Sequence, residues 1–174
     1  MTKIYETQPE NLNNLSPVSC RLAFNSLPNV VYRTTSVPLP GLQLGETEQA
    51  SPLQSIPWPG TELIQEPLAV SFIVDEDLVN WKEIFDWMIG LGSPKSTEQY
   101  KNQADNTYRP HFGGYFSDAT LIIYTNEGNK NLEVKFRDCF PNDLTAIDFD
   151  SGSPDITTMV ATAMFKYTYY EFVE

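Results

Sequence analysis

Histidine occurs once in this chain of 174 residues, at His111, and cysteine twice, at Cys20 and Cys139. That scarcity excludes a metal centre built on histidine and cysteine, and two cysteines cannot make a disulfide framework. Both cysteines stand among alternating apolar residues, so two buried free thiols are expected. A serine–histidine–aspartate triad would have to use His111, which no G-x-S-x-G turn accompanies. Gly113-Gly114-Tyr115 neither follows a strand nor opens a helix, so it is no phosphate loop. Basic residues are also scarce: 11 Lys and Arg stand against 23 Asp and Glu, a net charge of −12. A surface that grips nucleic acid needs clustered cations to displace counterions, and this composition argues against one. No run approaches the roughly 20 apolar residues of a membrane-spanning helix. Met1-Thr-Lys-Ile-Tyr-Glu has no apolar stretch of signal-peptide length, so synthesis in the cytoplasm with no membrane partner is expected. No internal repeat is found, and no catalytic residue, cofactor or metal is assigned.

What is present points to β-structure. Thirteen prolines and nine glycines, spread along the chain, favour short strands and turns over a helix bundle. An aromatic content of 13% suits pleated, half-buried surfaces. Residues 1–17 are polar and end at Pro17, which predicts an extended N-terminal arm. Cys20, Leu22 and Phe24 alternate with Arg21, Ala23 and Asn25 as in a half-buried strand. Leu27-Pro28-Asn29 reads as a turn, with Val30 to Thr35 as the hairpin partner. Residues 37–67 contain Pro38, Pro40, Pro52, Pro57, Pro59 and Pro67, each of which removes a ladder donor, so a central strand is not expected. Residues 43–55 suit an edge hairpin. Leu39, Leu42, Leu44, Leu53, Ile56 and Trp58 are too apolar for a free linker, so this stretch should pack on the core or on a neighbour.

Leu68 to Val74 is a compact strand, followed by the one strong helix. Asp75 or Asp77 can cap it. Leu78, Trp81, Phe85 and Met88 make its apolar stripe, widened by Ile84, Ile89 and Leu91. Gly90 and Gly92 end it, and Pro94 prevents its resumption. Residues 93–117 read as a long polar loop. Ala119 to Thr125 and Leu132 to Cys139 form a hairpin around Glu127-Gly128-Asn129, with Leu132, Val134 and Phe136 inward and Glu133, Lys135 and Arg137 outward. A corner follows at Phe140-Pro141, then a strand from Leu144 to Asp150, a loop, and a long strand from Ile156 to Phe172. Along that last strand Phe165, Tyr167 and Tyr169 should share one face, and Lys166, Thr168, Tyr170 and Phe172 the other. Aromatics on both faces predict that both are covered, the second by the helix or by a neighbouring subunit.

Five acids (Asp138, Asp143, Asp148, Asp150 and Asp155) fall where no Lys or Arg stands between Arg137 and Lys166. An EF-hand starting at Asp148 fails at Gly152, Ser153 and Met159, which leaves an acidic turn or solvated rim. With 23 acids some carboxylate pair falls at any separation, so no glycosidase is inferred.

Two stretches carry a family resemblance: Ser71 to Trp87, a strand running into the helix, and Leu132 to Asp150 continuing to Phe172. With Arg21 to Phe24 and Leu39-Pro40-Gly41, the chain resembles the tail tube proteins of contractile, long-tailed bacteriophages, including tube initiators and terminators. The resemblance implies a mainly β fold, an antiparallel β-sandwich or barrel with one flanking α-helix, as a single domain over residues 1–174. It further implies a homo-oligomer of hexameric rings stacked into a tube for genome ejection, located in the virion tail. Partners would be sheath and baseplate proteins, and double-stranded DNA that passes without tight binding. Residues 37–67 and 93–117 would then be inter-subunit loops. Asp148 and Asp150 are candidates for a lumen-facing acidic surface, which would repel phosphate. Leu42, Leu44, Leu53, Tyr170 and Phe172 are candidate inter-subunit residues. A different class, a β-sandwich carbohydrate-binding module, would use exposed aromatics such as Trp58 and Tyr115.

Overall fold

The computed structural model describes residues 13–18, 20–24, 26–92, 98, 115–150, 152 and 158–173. Most of the expected arm, most of the 93–117 loop with His111, and Asp155 to Thr157 lie outside the described residues. Along the chain run β1 (Cys20–Phe24), α1 (Pro28–Tyr32), β2 (Thr34–Ser36), β3 (Leu42–Gln49), β4 (Ile56–Gln65) and β5 (Leu68–Ile73). They are followed by α2 (Val79–Gly92), β6 (Ser117–Tyr124), β7 (Lys130–Leu144), β8 (Val160–Lys166) and β9 (Tyr169–Val173).

Seven strands form one antiparallel sheet in the order β1-β6-β7-β8-β5-β2, with β9 also paired to β7. The sheet curls into a nearly closed barrel flanked by α2, as the sequence predicts for the fold class. Strand β7 makes the curl possible. Its first half pairs with β6 on one side and with β9 on the other, and its second half pairs with β8. Two sectors result: β1-β6-β7-β9, and β7-β8-β5-β2.

The bend lies at Asp138, which has a left-handed φ of 55°, and not at the expected Phe140-Pro141. Pro141 sits inside β7, buried and in register with Phe165. It is tolerated because the second half of β7 is an edge strand with a register shift between Pro141 and Asp143. Beyond Leu144 no strand continues, contrary to the expected Leu144–Asp150 strand. Thr145 takes the last ladder bonds, its N–H donating to the Thr162 carbonyl (3.0 Å) and its Oγ1 accepting from the Thr162 N–H (2.8 Å).

Alternation drives the packing. On β5, Leu68, Val70 and Phe72 are buried; on β8, Ala161, Ala163 and Phe165; on β7, Val134, Phe136 and Cys139. Phe24 lies 4.8 Å from Phe165 between ring centroids, and Trp87 of α2 lies 6.3 Å from it, so Phe165 joins β1, β8 and the helix. The expected β1 hairpin does not form. Pro28 opens the single turn α1, where its fixed φ suits the first helical position, and β2 then pairs with β5.

The buried line of α2 is Asn80, Ile84, Trp87 and Gly90, one position off the expected stripe, which leaves Phe85 partly exposed and stacked on Trp81 (5.4 Å). The expected aspartate cap is also replaced. Asp75 pairs with Arg33 instead, while Asn80 Oδ1 accepts from the Asp75 and Trp81 N–H groups and its Nδ2 donates to the Ile73 carbonyl at 2.7 Å. Gly90 lies within the helix, which runs on to Gly92. On the last strands Tyr167 and Tyr170 pack inward, while Tyr169 is exposed. The corner at Tyr167-Thr168 shifts the alternation, contrary to the expected faces.

Both cysteines are free, but only Cys139 is buried; Cys20 is exposed beside the opening between β1 and β2, where no strand covers it among the described residues. Burial pushes the Cys139 thiol up to about 12, and burial followed by Tyr170 pushes Tyr167 up to about 12. Both groups favour the protonated, folded form. Their contribution is complete below the ordinary thiol value of about 8.5 and is lost as pH climbs through about 12. Melting temperature is therefore expected to fall across that alkaline window, and Cys139→Ala to soften the fall. Thiol labelling at pH 8 should modify Cys20 rapidly and Cys139 only on unfolding. Equal labelling rates in the native protein would contradict this account.

Candidate assembly surfaces

Strands β1 and β9 bound the first sector, and each pairs on one side only among the described residues. An unpaired strand edge presents a row of backbone donors and acceptors that a second chain can use. On the β1 side, a cavity of about 370 Å³ separates β1 from β2, lined by Cys20, Arg21, Leu22, Thr34, Thr35 and Val37 among others.

The outward face of this sector is polar and cross-linked. Arg137 on β7 reaches Glu171 on β9 through Nη2 (2.8 Å) and Nε (3.1 Å), and Asp118 on β6 through Nη1 (3.1 Å). The other oxygen of Asp118 accepts the Asp138 N–H at 3.2 Å, at the bend of β7. Hydrogen bonds donated to Glu171 first and then to Asp118 hold the Arg137 guanidinium above its usual range. Lys130 binds Glu133 at 2.7 Å and, through that bond first, holds its carboxyl below the usual range.

The second surface is the β3–β4 hairpin, a separate two-stranded sheet outside the main one; it is longer than the expected 43–55 hairpin, since its second strand runs on through Pro57 and Pro59 to Gln65. Pro57 and Pro59 lie opposite Glu48 and Glu46. Two residues apart, they remove donors from one and the same edge of β4, which blunts it against indiscriminate pairing. Gly60 crosses Gly45 so closely that a Cβ on Gly60 would lie 2.6 Å from the Gly45 carbonyl oxygen. The hairpin base is tied down: Glu66 N–H donates to the Gly41 carbonyl (3.1 Å), Gly41 N–H to Glu66 Oε2 (3.2 Å), and Tyr167 Oη to the Glu66 carbonyl (2.8 Å).

Of the candidate inter-subunit residues, Leu42, Leu44 and Leu53 all lie on this hairpin or its tip, with Leu44 58% and Leu53 98% exposed. Trp58 is exposed on the same hairpin, whereas Tyr115 is half-buried beside Phe116. Phe172 is exposed on β9, but Tyr170 is half-buried, its ring 5.6 Å from Phe136 and its hydroxyl 3.5 Å from the Pro40 carbonyl at the hairpin base. Asp148 and Asp150 are exposed in the irregular segment after β7, where Asp150 Oδ1 accepts the Gly152 N–H at 2.8 Å. They do not share the first sector's face. The sequence marks Arg137 as outward, but its partners come from strands 19 and 34 residues away, and no local pattern could pair them. Among the described residues no group of side chains could hold a metal, and no helix is long and apolar enough to cross a membrane.

A curled antiparallel sheet with open edges and a projecting apolar hairpin offers two surfaces suited to assembly. The chain belongs to the phage tail tube protein family, whose sequence profile matches residues 7–173. It is similar to the tail tube terminator protein of Enterobacteria phage T4, 27% identical over 140 residues that span 78% of this chain and 74% of that protein. Its fold is similar to a chain from the sheath–tube complex of the extracellular contractile injection system PVC (TM-score 0.58, 15% identity, 99% of each chain). It is equally similar to a chain from the sheath/tube terminator of the same system (TM-score 0.58, 16% identity, 94% and 100% of the two chains). A chain from the tube-terminating cap of the anti-feeding prophage matches at TM-score 0.56 and 12% identity, over 98% and 97% of the chains. At these identities the structures bear on fold alone. The role of this chain is structural and related to the tail tube.

Proposed function

We propose that this protein is a tube-end ring: six copies close head to tail, cap the tail tube and leave a lumen through which the genome passes. The observation that carries this reading is the first sector. Its strands alternate in direction from β1 to β9, so β9 of one copy beside β1 of the next continues the antiparallel pattern without interruption. Each copy offers one edge and accepts the other, a heterologous contact that closes when the rotation completes a ring. The outward face of this sector becomes the lumen wall. The exposed Leu42, Leu44 and Leu53 contact the neighbouring ring or sheath components of the virion tail. Asp148 and Asp150 then belong to the ring's rim, where their charge repels phosphate approaching the mouth.

Relation to a terminator over 78% of the chain favours the end ring over the repeating subunit. Negative-stain microscopy of the purified full chain tests this directly. Discrete rings or short stacks are expected. Long self-assembled tubes would reassign the chain to the repeating subunit, and a protein that stays monomeric at high concentration would overturn ring formation.

A further inference from the structure

The outward face of the first sector carries four cations, Arg21, Lys130, Lys135 and Arg137, and three carboxylates, Asp118, Glu133 and Glu171. That face has no acidic excess in a chain of net charge −12, so the excess lies elsewhere. Its interactions are specific: the Arg137 guanidinium spends Nε and both Nη groups on Glu171 and Asp118. We propose that Asp118 and Glu171 are guard residues, which occupy Arg137 so that its guanidinium, at the centre of the wall on β7, is kept from the phosphates of passing duplex DNA. This inference rests on the assignment of that face to the lumen.

The reasoning begins with what Arg137 does for the fold. It bridges β6, β7 and β9 just before the bend, tying the terminal strand to its neighbours. A cation there is therefore part of the architecture. An arginine is also the side chain best suited to forked contacts with phosphate. Left unmasked once per subunit, it would put a ring of guanidinium groups around a polyanion. Multiple phosphate contacts bind in a steeply salt-dependent way and would hold the DNA in place. Two carboxylates on one guanidinium take three of its N–H donors and leave a local negative excess facing the phosphates.

The test compares binding of a fluorescent duplex DNA to the purified full chain at low salt. Asp118→Asn with Glu171→Gln is expected to bind on the order of tenfold more tightly than the parent, with a steeper salt dependence. Adding Arg137→Gln to that pair should return binding to the parental level, which a general loss of packing would not do. Glu76→Gln with Asp77→Asn changes net charge equally, at exposed positions between β5 and α2 away from the face, and should leave binding unchanged. The proposal is overturned if the folded Asp118/Glu171 variant binds no better, or if the Glu76/Asp77 variant gains as much. Should the double variant fail to fold, Glu171→Gln alone keeps the Asp118 link and must still show a partial gain; none would equally sink the proposal. If the parent forms no rings, the ring reading fails, while the same comparison on single subunits still decides whether the carboxylates mask Arg137.

Discussion

Replacing Phe165 with alanine is expected to cost about 3–5 kcal/mol of folding stability, the range for deleting a buried aromatic. The side chain is fully buried and touches three elements at once: Phe24 of β1, Trp87 of α2, and its own strand beside the edge of β7. Neighbours drawn from both sectors and a helix cannot collapse together into the space left behind, so most of the cavity should persist. Against a total of about 5–15 kcal/mol for an ordinary domain, this is a loss that single substitutions seldom reach. Urea unfolding followed by tryptophan fluorescence would measure it as a drop in midpoint at unchanged slope. A loss below about 1 kcal/mol would mean that the barrel interior repacks freely, and the account of Phe165 as its common contact would be wrong.

Leu44→Asp combined with Leu53→Asp is expected to do the reverse, sparing the fold and removing assembly. Both side chains already stand in solvent in the isolated subunit, so stability should move by no more than about 0.5 kcal/mol. If they are buried anchors in the assembly, each contributes roughly 2 kcal/mol to association, and a buried carboxylate adds desolvation cost. Their joint loss should weaken association by on the order of a thousandfold. Sedimentation velocity would show subunits or isolated rings where the parent makes larger species. A variant that assembles like the parent would exclude the hairpin from the contact.

Strands with a clean period of two were legible from sequence: β5, β6, the first half of β7, and the Gly128 turn, where φ is 81°. Alternating burial writes itself into residue types, and a tight turn needs its glycine. The helix was legible in extent but not in rotation. Asn80 is polar yet fully buried, because it satisfies the Ile73 carbonyl and two N–H groups at the helix start. No apolar count would place it inward. Proline misled twice. Pro28 reads as a turn but starts α1, and Pro141 reads as a corner but lies within β7, because only the final pairing shows which strands are edges. The exposed leucines on the hairpin were legible from their unusual apolarity. The Asp118–Arg137–Glu171 network was not, since it depends on three strands whose order the chain does not spell out.

Strand β7 has a further consequence. From Glu133 opposite Val173 to Pro141 opposite Phe165, its partner runs back along it at a single register, interrupted only where Tyr167 and Thr168 turn the corner. One hairpin thus supplies rungs to both sectors. The two sectors cannot part from each other at the bend, because the same two segments would have to separate along their whole length. Local opening is suppressed and the subunit becomes a single cooperative unit. Under a pull along β7, that arrangement would behave like a continuous fibre running through a joint: strain entering at one end would be shared along the hairpin and would not concentrate at the bend.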